Sequence, residues 1–249
     1  MTSITSAHVS ARSLEVLRNA NLGHAPEFLD FREKHWGKAG AATVPVPQEL
    51  VELGVHNPLV FIQHTDGFDD DLGDSPILVR AEYRRLWRYI YGDFFDEAAE
   101  PDKRACTATI VLGHPGIGKS LSLFYLMVVA AEARLPFVFY RTGFSNAYVC
   151  LDAGDFSIPA ERLYYLQHTA RTLVLLDSSA DLELREYTWR RSRNTHAVLA
   201  SSPANQRHGA LAKYRKANYY TMDVVPLHEF RAMMCVHRFV CAEWVLVDE

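Results

Sequence analysis

Eight consecutive residues, Gly113-His114-Pro115-Gly116-Ile117-Gly118-Lys119-Ser120, most constrain what this chain folds into. They follow an apolar, β-rich run, Thr107–Leu112, and open a second apolar run, Lys119–Ala133, of helical character. The segment satisfies G-x-x-x-x-G-K-[ST] at every position, and its flanks supply the strand-to-helix context that this P-loop pattern needs. Glycines allow a loop to wrap so that successive backbone N–H groups point inward, toward an anion. A helix starting at Lys119 adds the positive end of its dipole at the same point. On this pattern Gly113, His114, Pro115, Gly116, Ile117, Gly118, Lys119 and Ser120 are the expected cradle for a polyphosphate. The Lys119 ammonium is placed to reach the β- and γ-phosphates, and the Ser120 hydroxyl to ligate Mg²⁺.

Downstream, short apolar runs alternate with helical stretches. Phe137–Tyr140, Leu173–Leu176, Ala197–Ser201 and Tyr219–Val225 read as strands, with Tyr148–Leu151 as a short extra strand turned by Gly154. Glu161–Ala170 reads as a helix. Strands without polar alternation suit a parallel sheet covered on both faces, and the alternation with helices predicts an α/β, three-layer fold. Upstream the texture is less regular. Residues 1 to about 45 read as a loosely ordered arm with a short helix near Arg12–Arg18, and Phe28, Phe31 and Trp36 offer a small docking face. Leu59–Gln63 and Ile77–Val79 are extended. Glu82–Tyr91 is an amphipathic helix burying Tyr83, Leu86, Trp87 and Ile90, with Arg80, Arg84, Arg85 and Arg88 largely on its other side. The expected organisation is an irregular, partly helical N-terminal segment (1–75), a core (76–235) and a C-terminal tail (236–249).

A second acid on the magnesium side belongs at the end of a downstream apolar strand, and Leu173-Val-Leu-Leu176-Asp177 provides one. Asp177 is therefore the expected metal partner of Ser120. In P-loop proteins with an extra strand between loop and acid, a second acid usually follows and orients the attacking water. Here Ser178 and Ser179 follow, with Asp181 and Glu183 further on. Loss of such a group costs about 10²–10⁴ in rate, so slow or absent hydrolysis is expected. In that subgroup the strand ending in Ser201-Ser202-Pro203 lies between the other two and aims a polar side chain at the γ-phosphate. Ser201 or Ser202 fills that role, and Ser202 joins Lys119 and Asp177 as the catalytic set.

The composition sets limits on partners. The net charge of −4 provides no global attraction to nucleic acid. A locally basic stretch (Arg185, Arg190, Arg191, Arg193, Arg207, Lys213, Arg215, Lys216) interleaved with Trp189, Tyr214 and Tyr219 is the one feature suited to a phosphate backbone, and solvated helix faces account for it more simply. Asp66, Asp69, Asp70, Asp71 and Asp74 lack the spacing of a calcium loop. Cys106, Cys150, Cys235 and Cys241 show no pairing rhythm, as expected of reduced thiols. Met1–Leu22 has no secretory pattern, and Leu121–Ala131 falls short of the ~20 apolar residues of a membrane span. The expected setting is intracellular, cytoplasm or nucleus, without membrane insertion.

The chain resembles the P-loop NTPase domain of Crinkler and retrotransposon-hot-spot type proteins. The resemblance is carried by Ile77-Leu-Val-Arg80-Ala-Glu-Tyr83, by the loop Gly113–Ser120, by Val174-Leu-Leu-Asp177-Ser178, by Ala200-Ser-Ser-Pro203, by Tyr219-Tyr-Thr-Met222 and by Pro226-Leu-His-Glu229-Phe230. It spans about residues 55 to 235, and of these segments the loop alone is specific. It implies an AAA/STAND-like nucleotide-binding domain, often joined to a nuclease-like domain in effector or conflict proteins. Family members usually continue through a helical lid, so residues 236–249 are expected to be its truncated start. The functional expectation is binding of ATP, or another nucleoside triphosphate, with Mg²⁺, and slow hydrolysis coupled to conformational change or self-association. The alternatives are a small-molecule kinase using the same loop and a non-hydrolysing nucleotide-binding interaction module.

Overall fold

A computed structural model of the chain describes residues 10, 12, 13, 15, 17, 28, 31–40, 43–44, 60–62, 76–95, 107–166, 168–177, 194–201, 211–212, 215–230 and 232–233. Its centre is a seven-stranded sheet. Five strands are parallel: β4 (Ala108–Leu112), β5 (Phe137–Arg141), β8 (Thr172–Asp177), β9 (Thr195–Ala200) and β10 (Asn218–Thr221). Their spatial order is β10-β4-β9-β8-β5. An antiparallel hairpin, β6 (Asn146–Leu151) and β7 (Gly154–Pro159), extends the sheet beyond β5. A smaller antiparallel sheet joins β1 (Thr43–Val44), β2 (Phe61–Ile62) and β3 (Ile77–Leu78).

The parallel arrangement follows from the composition of the strands. Every residue of β8 and β9 is buried, which only a sheet covered on both faces permits. Alternating side chains divide accordingly between two apolar clusters. Val111, Phe137, Phe139, Leu173, Leu175 and Val198 face one, and Ile110, Val138, Val174, Leu176, Ala197 and Leu199 the other. Two helices, α2 (Ala81–Ile90) and α3 (Lys119–Glu132), contribute to the first cluster. Helix α3 is apolar almost all round and carries Leu123, Phe124, Leu126 and Met127 at zero exposure, as a helix sandwiched between layers must be. Leu17, Leu163, Leu166 and Leu211 cover the second face.

The N-terminal segment is more integrated than its composition suggests. Helix α1 (Phe31–His35) packs on α3. Phe31 makes edge contacts with Phe124 and Phe137, and Phe28 stacks on Tyr148 at 4.5 Å. Beyond α1, the Gly37 amide donates to the Ala131 carbonyl and the Gly40 amide to Glu132 Oε1, which closes the end of α3. The small apolar face of Phe28, Phe31 and Trp36 therefore docks on the main body, as the sequence leads one to expect. Two other expectations need correction. The helix at 161–170 is a short 3₁₀ segment, Ala160–Tyr165, because Leu166 turns to extended backbone and the chain then feeds β8. The strand at 219–225 ends at Thr221, since Met222 turns inward to the core.

Among the described residues no helix is long and apolar enough to cross a membrane. Cys150 is a free, buried thiol, and the other three cysteines lie outside the described residues.

Two buried histidines predict how stability varies with pH. Burial lowers His35 from 6.5 to about 4, assisted by Lys34 and Lys38, and lowers His196 to about 3, assisted by Arg215. Both are neutral when folded, so the unfolded chain binds more protons below pH 6.5. Stability is fully present above that pH and is lost as pH falls toward 4 and 3. The expected slope is about 1.4 kcal/mol per pH unit for each histidine below pH ~5.5. Urea midpoints between pH 7 and 4.5 measure it, and a His35→Gln/His196→Gln double variant should lose most of this histidine slope, the remainder staying with His168, which burial also lowers to about 4. An equal slope in that variant contradicts the assignment.

Candidate functional site

The loop between β4 and α3 lies at the carboxyl end of the parallel strands, where β4 leads to β5 on one side while its neighbour β9 leads back across it to β10 on the other. Ligand crevices of open α/β sheets form at such switch points. Gly116 and Gly118 have φ of 75° and 89°, left-handed values that side chains resist. Gly118 caps α3, its carbonyl accepting from the Ser122 amide. A Cβ at Gly118 would also run into the Tyr83 hydroxyl. Within the loop, the Ile117 amide donates to the His114 carbonyl at 3.3 Å. His114, Pro115 and Gly116 are exposed, whereas Gly113 and Ile117 are buried, so the tip faces solvent and its base is anchored.

The Lys119 side chain curls back over the loop, donating to the carbonyls of Gly113 (2.8 Å) and His114 (2.9 Å). Partial burial holds its pKa down, against a raising contribution from Asp177. An ammonium held on carbonyls beside an acid needs only a side-chain rotation to meet an incoming anion.

Ser120 and Asp177, distant in sequence, meet here. The Ser120 hydroxyl donates to Asp177 Oδ1 at 3.0 Å. The register explains the meeting. Strand β9 is paired in parallel with both β4 and β8, bringing Ala200 level with Val111 on one side and Asp177 on the other. The strand expected between loop and acid is therefore in that position. Ser201 follows it, buried, with its amide donating to the Val111 carbonyl at 3.1 Å. Ser202, the third member of the expected catalytic set, lies outside the described residues, as do Ser178, Ser179, Asp181 and Glu183.

Three groups at the site are not evident from the sequence pattern. Arg141, the last residue of β5, donates from Nε to Asp177 Oδ2 at 3.0 Å. Arg80, at the N-cap of α2, is 1% exposed and does not join the helix's solvent face as the spacing suggests. It pairs with Glu229 at 2.9 Å and donates from Nη1 to the Ile117 carbonyl at 2.6 Å and from Nη2 to the Asp223 carbonyl at 3.3 Å. Glu229 Oε1 accepts the Ala81 amide at 3.0 Å. This buried pair ties the loop to α2 and to the segment after β10. Tyr83 packs beside it, its pKa raised to about 12 chiefly by burial. No local signal marks Glu229 as the partner of Arg80.

No protein-family model and no curated protein matches this chain.

The donors at the site suit a hard cation. A hydroxyl and a carboxylate oxygen converge, and among the described residues no cluster of three or more His, Cys, Asp or Glu forms an all-protein metal cage. Mg²⁺ is usually held in this way, by one or two protein oxygens with waters and substrate phosphates completing the shell. The residues that would hold it are Ser120 and Asp177.

Proposed function

We propose that the chain binds a nucleoside triphosphate, ATP or a relative, with Mg²⁺ through the loop Gly113–Ser120, as a three-layer P-loop NTPase of the Crinkler/retrotransposon-hot-spot kind. The observation that carries this is the 3.0 Å hydrogen bond between Ser120 Oγ and Asp177 Oδ1, directly beside a glycine loop that caps α3. A strand, a left-handed glycine pair and a lysine–serine helix start could together be a tight turn. An acid from a distant strand on that same serine is what metal–phosphate chemistry calls for.

In this reading the loop amides and the α3 N-terminus receive the phosphates, Lys119 leaves its carbonyls for the β- and γ-oxygens, and Ser120 and Asp177 hold the metal. When bound, Mg²⁺ neutralises and orients the phosphates. Ser178 and Ser179 follow Asp177 in place of a water-orienting acid, which supports slow turnover, coupled in this reading to conformational change or self-association. An intracellular setting accords with the free, buried Cys150.

Calorimetric titration with ATP, with Mg²⁺ and with EDTA, tests the proposal. Metal-dependent saturable binding is expected, and no binding up to millimolar ATP defeats it. Phosphate release then separates the variants of the reading. Free phosphate without acceptor marks an NTPase, acceptor-dependent ADP a kinase, and binding without turnover an interaction module.

A further inference from the structure

Asp177 divides its two oxygens between two partners. Oδ1 takes the Ser120 hydroxyl and Oδ2 takes Arg141 Nε, both at 3.0 Å. Arg141 ends β5, whose register sets it level with Asp177 in β8. Strand β5 lies about 5 Å beyond β8 on the side away from β4, so a side chain that reaches Asp177 leans back toward the glycine loop. The pair is largely enclosed, with side-chain exposures of 19% for Arg141 and 10% for Asp177, and the guanidinium also lies 5.8 Å from the Phe144 ring.

Resting on the polyphosphate reading above, we infer that Arg141 is the residue that recognises the terminal phosphate, separating nucleoside triphosphates from diphosphates. Without nucleotide its charge balances Asp177. Once Asp177 shares its charge with a divalent cation, the same guanidinium faces a second positive centre. The nearest relief is the terminal phosphate, whose oxygens accept from both the metal and a planar N–H fork. The loop amides grip the inner phosphates equally in either nucleotide and Lys119 bridges the inner and outer ones, whereas Arg141 weighs on the outermost group alone. The fork comes from within the same chain and needs no neighbouring subunit.

The test compares affinities of the full chain for ADP and for the β,γ-imido analogue of ATP, both with Mg²⁺, in the wild type, Arg141→Gln and Arg141→Lys. Arg141→Gln is expected to lose about 10–100-fold for the triphosphate analogue and less than about 3-fold for ADP. Arg141→Lys, keeping charge but not the fork, should fall between. Equal losses for both nucleotides, or none, overturn the inference and leave Arg141 as a brace for Asp177. Should Arg141→Gln melt far below the wild type, the ratio for Arg141→Lys decides, and an unchanged ratio there overturns the inference. A wild type that binds neither nucleotide defeats the polyphosphate reading itself, and this inference with it.

Discussion

Lys119→Ala is expected to weaken Mg²⁺–ATP binding by about 100-fold or more while leaving the fold almost unchanged. The side chain is half-buried and its bonds run only to two loop carbonyls, of Gly113 and His114. Removing it returns the His114 carbonyl to solvent at the exposed loop tip and leaves the Gly113 carbonyl at the part-buried base without this donor, a change worth about 1 kcal/mol. In the proposed nucleotide-bound state the same ammonium would bridge oxygens of two phosphates in a partly desolvated pocket. Truncating one partner of such a charge pair costs about 2–5 kcal/mol, and each 1.4 kcal/mol is tenfold. Calorimetry with a parallel thermal melt separates the two effects. Undiminished affinity in a well-folded Lys119→Ala would remove the basis for the functional proposal.

The largest effect on stability is expected at Arg80. Arg80→Ala leaves the Glu229 carboxylate, whose side chain is 5% exposed, without its cation and the Ile117 carbonyl without its donor. Breaking a buried pair from one side costs about 3–5 kcal/mol, and for a chain of this size that lowers Tm by about 10 °C. Because Nη1 holds the loop at Ile117, nucleotide affinity should fall as well, in contrast to the fold-neutral loss at Lys119. Arg80→Met combined with Glu229→Gln should recover part of the stability, since no unpaired charge then remains while an amide oxygen can still accept from Ala81. A single Arg80→Ala variant that melts within about 2 °C of the wild type would refute the bracing role.

Much of this architecture can be read from local pattern. The glycine loop 113–120, the apolar strands 108–112, 137–141, 172–177 and 195–200, and helices α2 and α3 are stretches whose periodicity and flanking glycines specify one conformation. Their boundaries fall within a residue or two of expectation. Glu161–Ala170 fails for the same reason that the others succeed. Its helix-forming composition is a weak propensity, and the segment keeps only a 3₁₀ turn before Leu166 goes extended, with Leu163 and Leu166 both buried on the sheet's second face.

Site residues divide along the same line. Lys119, Ser120 and Asp177 could be named because motif and strand end are contiguous in the chain. Arg141, Arg80 and Glu229 could not, since an arginine after a strand or before a helix looks like any solvated charge until its partner is known. Those partners lie 36 and 149 positions away.

The amino-acid order by itself determined that a glycine loop would join a buried strand to a buried helix, because backbone freedom and apolar periodicity are local properties. Only the tertiary structure decided which charges that loop meets. Strand order places β9 between β4 and β8 and β5 beside β8, and so brings Asp177 onto Ser120 and Arg141 onto Asp177. Burial supplies the reason these meetings persist, for away from water each of these polar groups must find a partner within the protein.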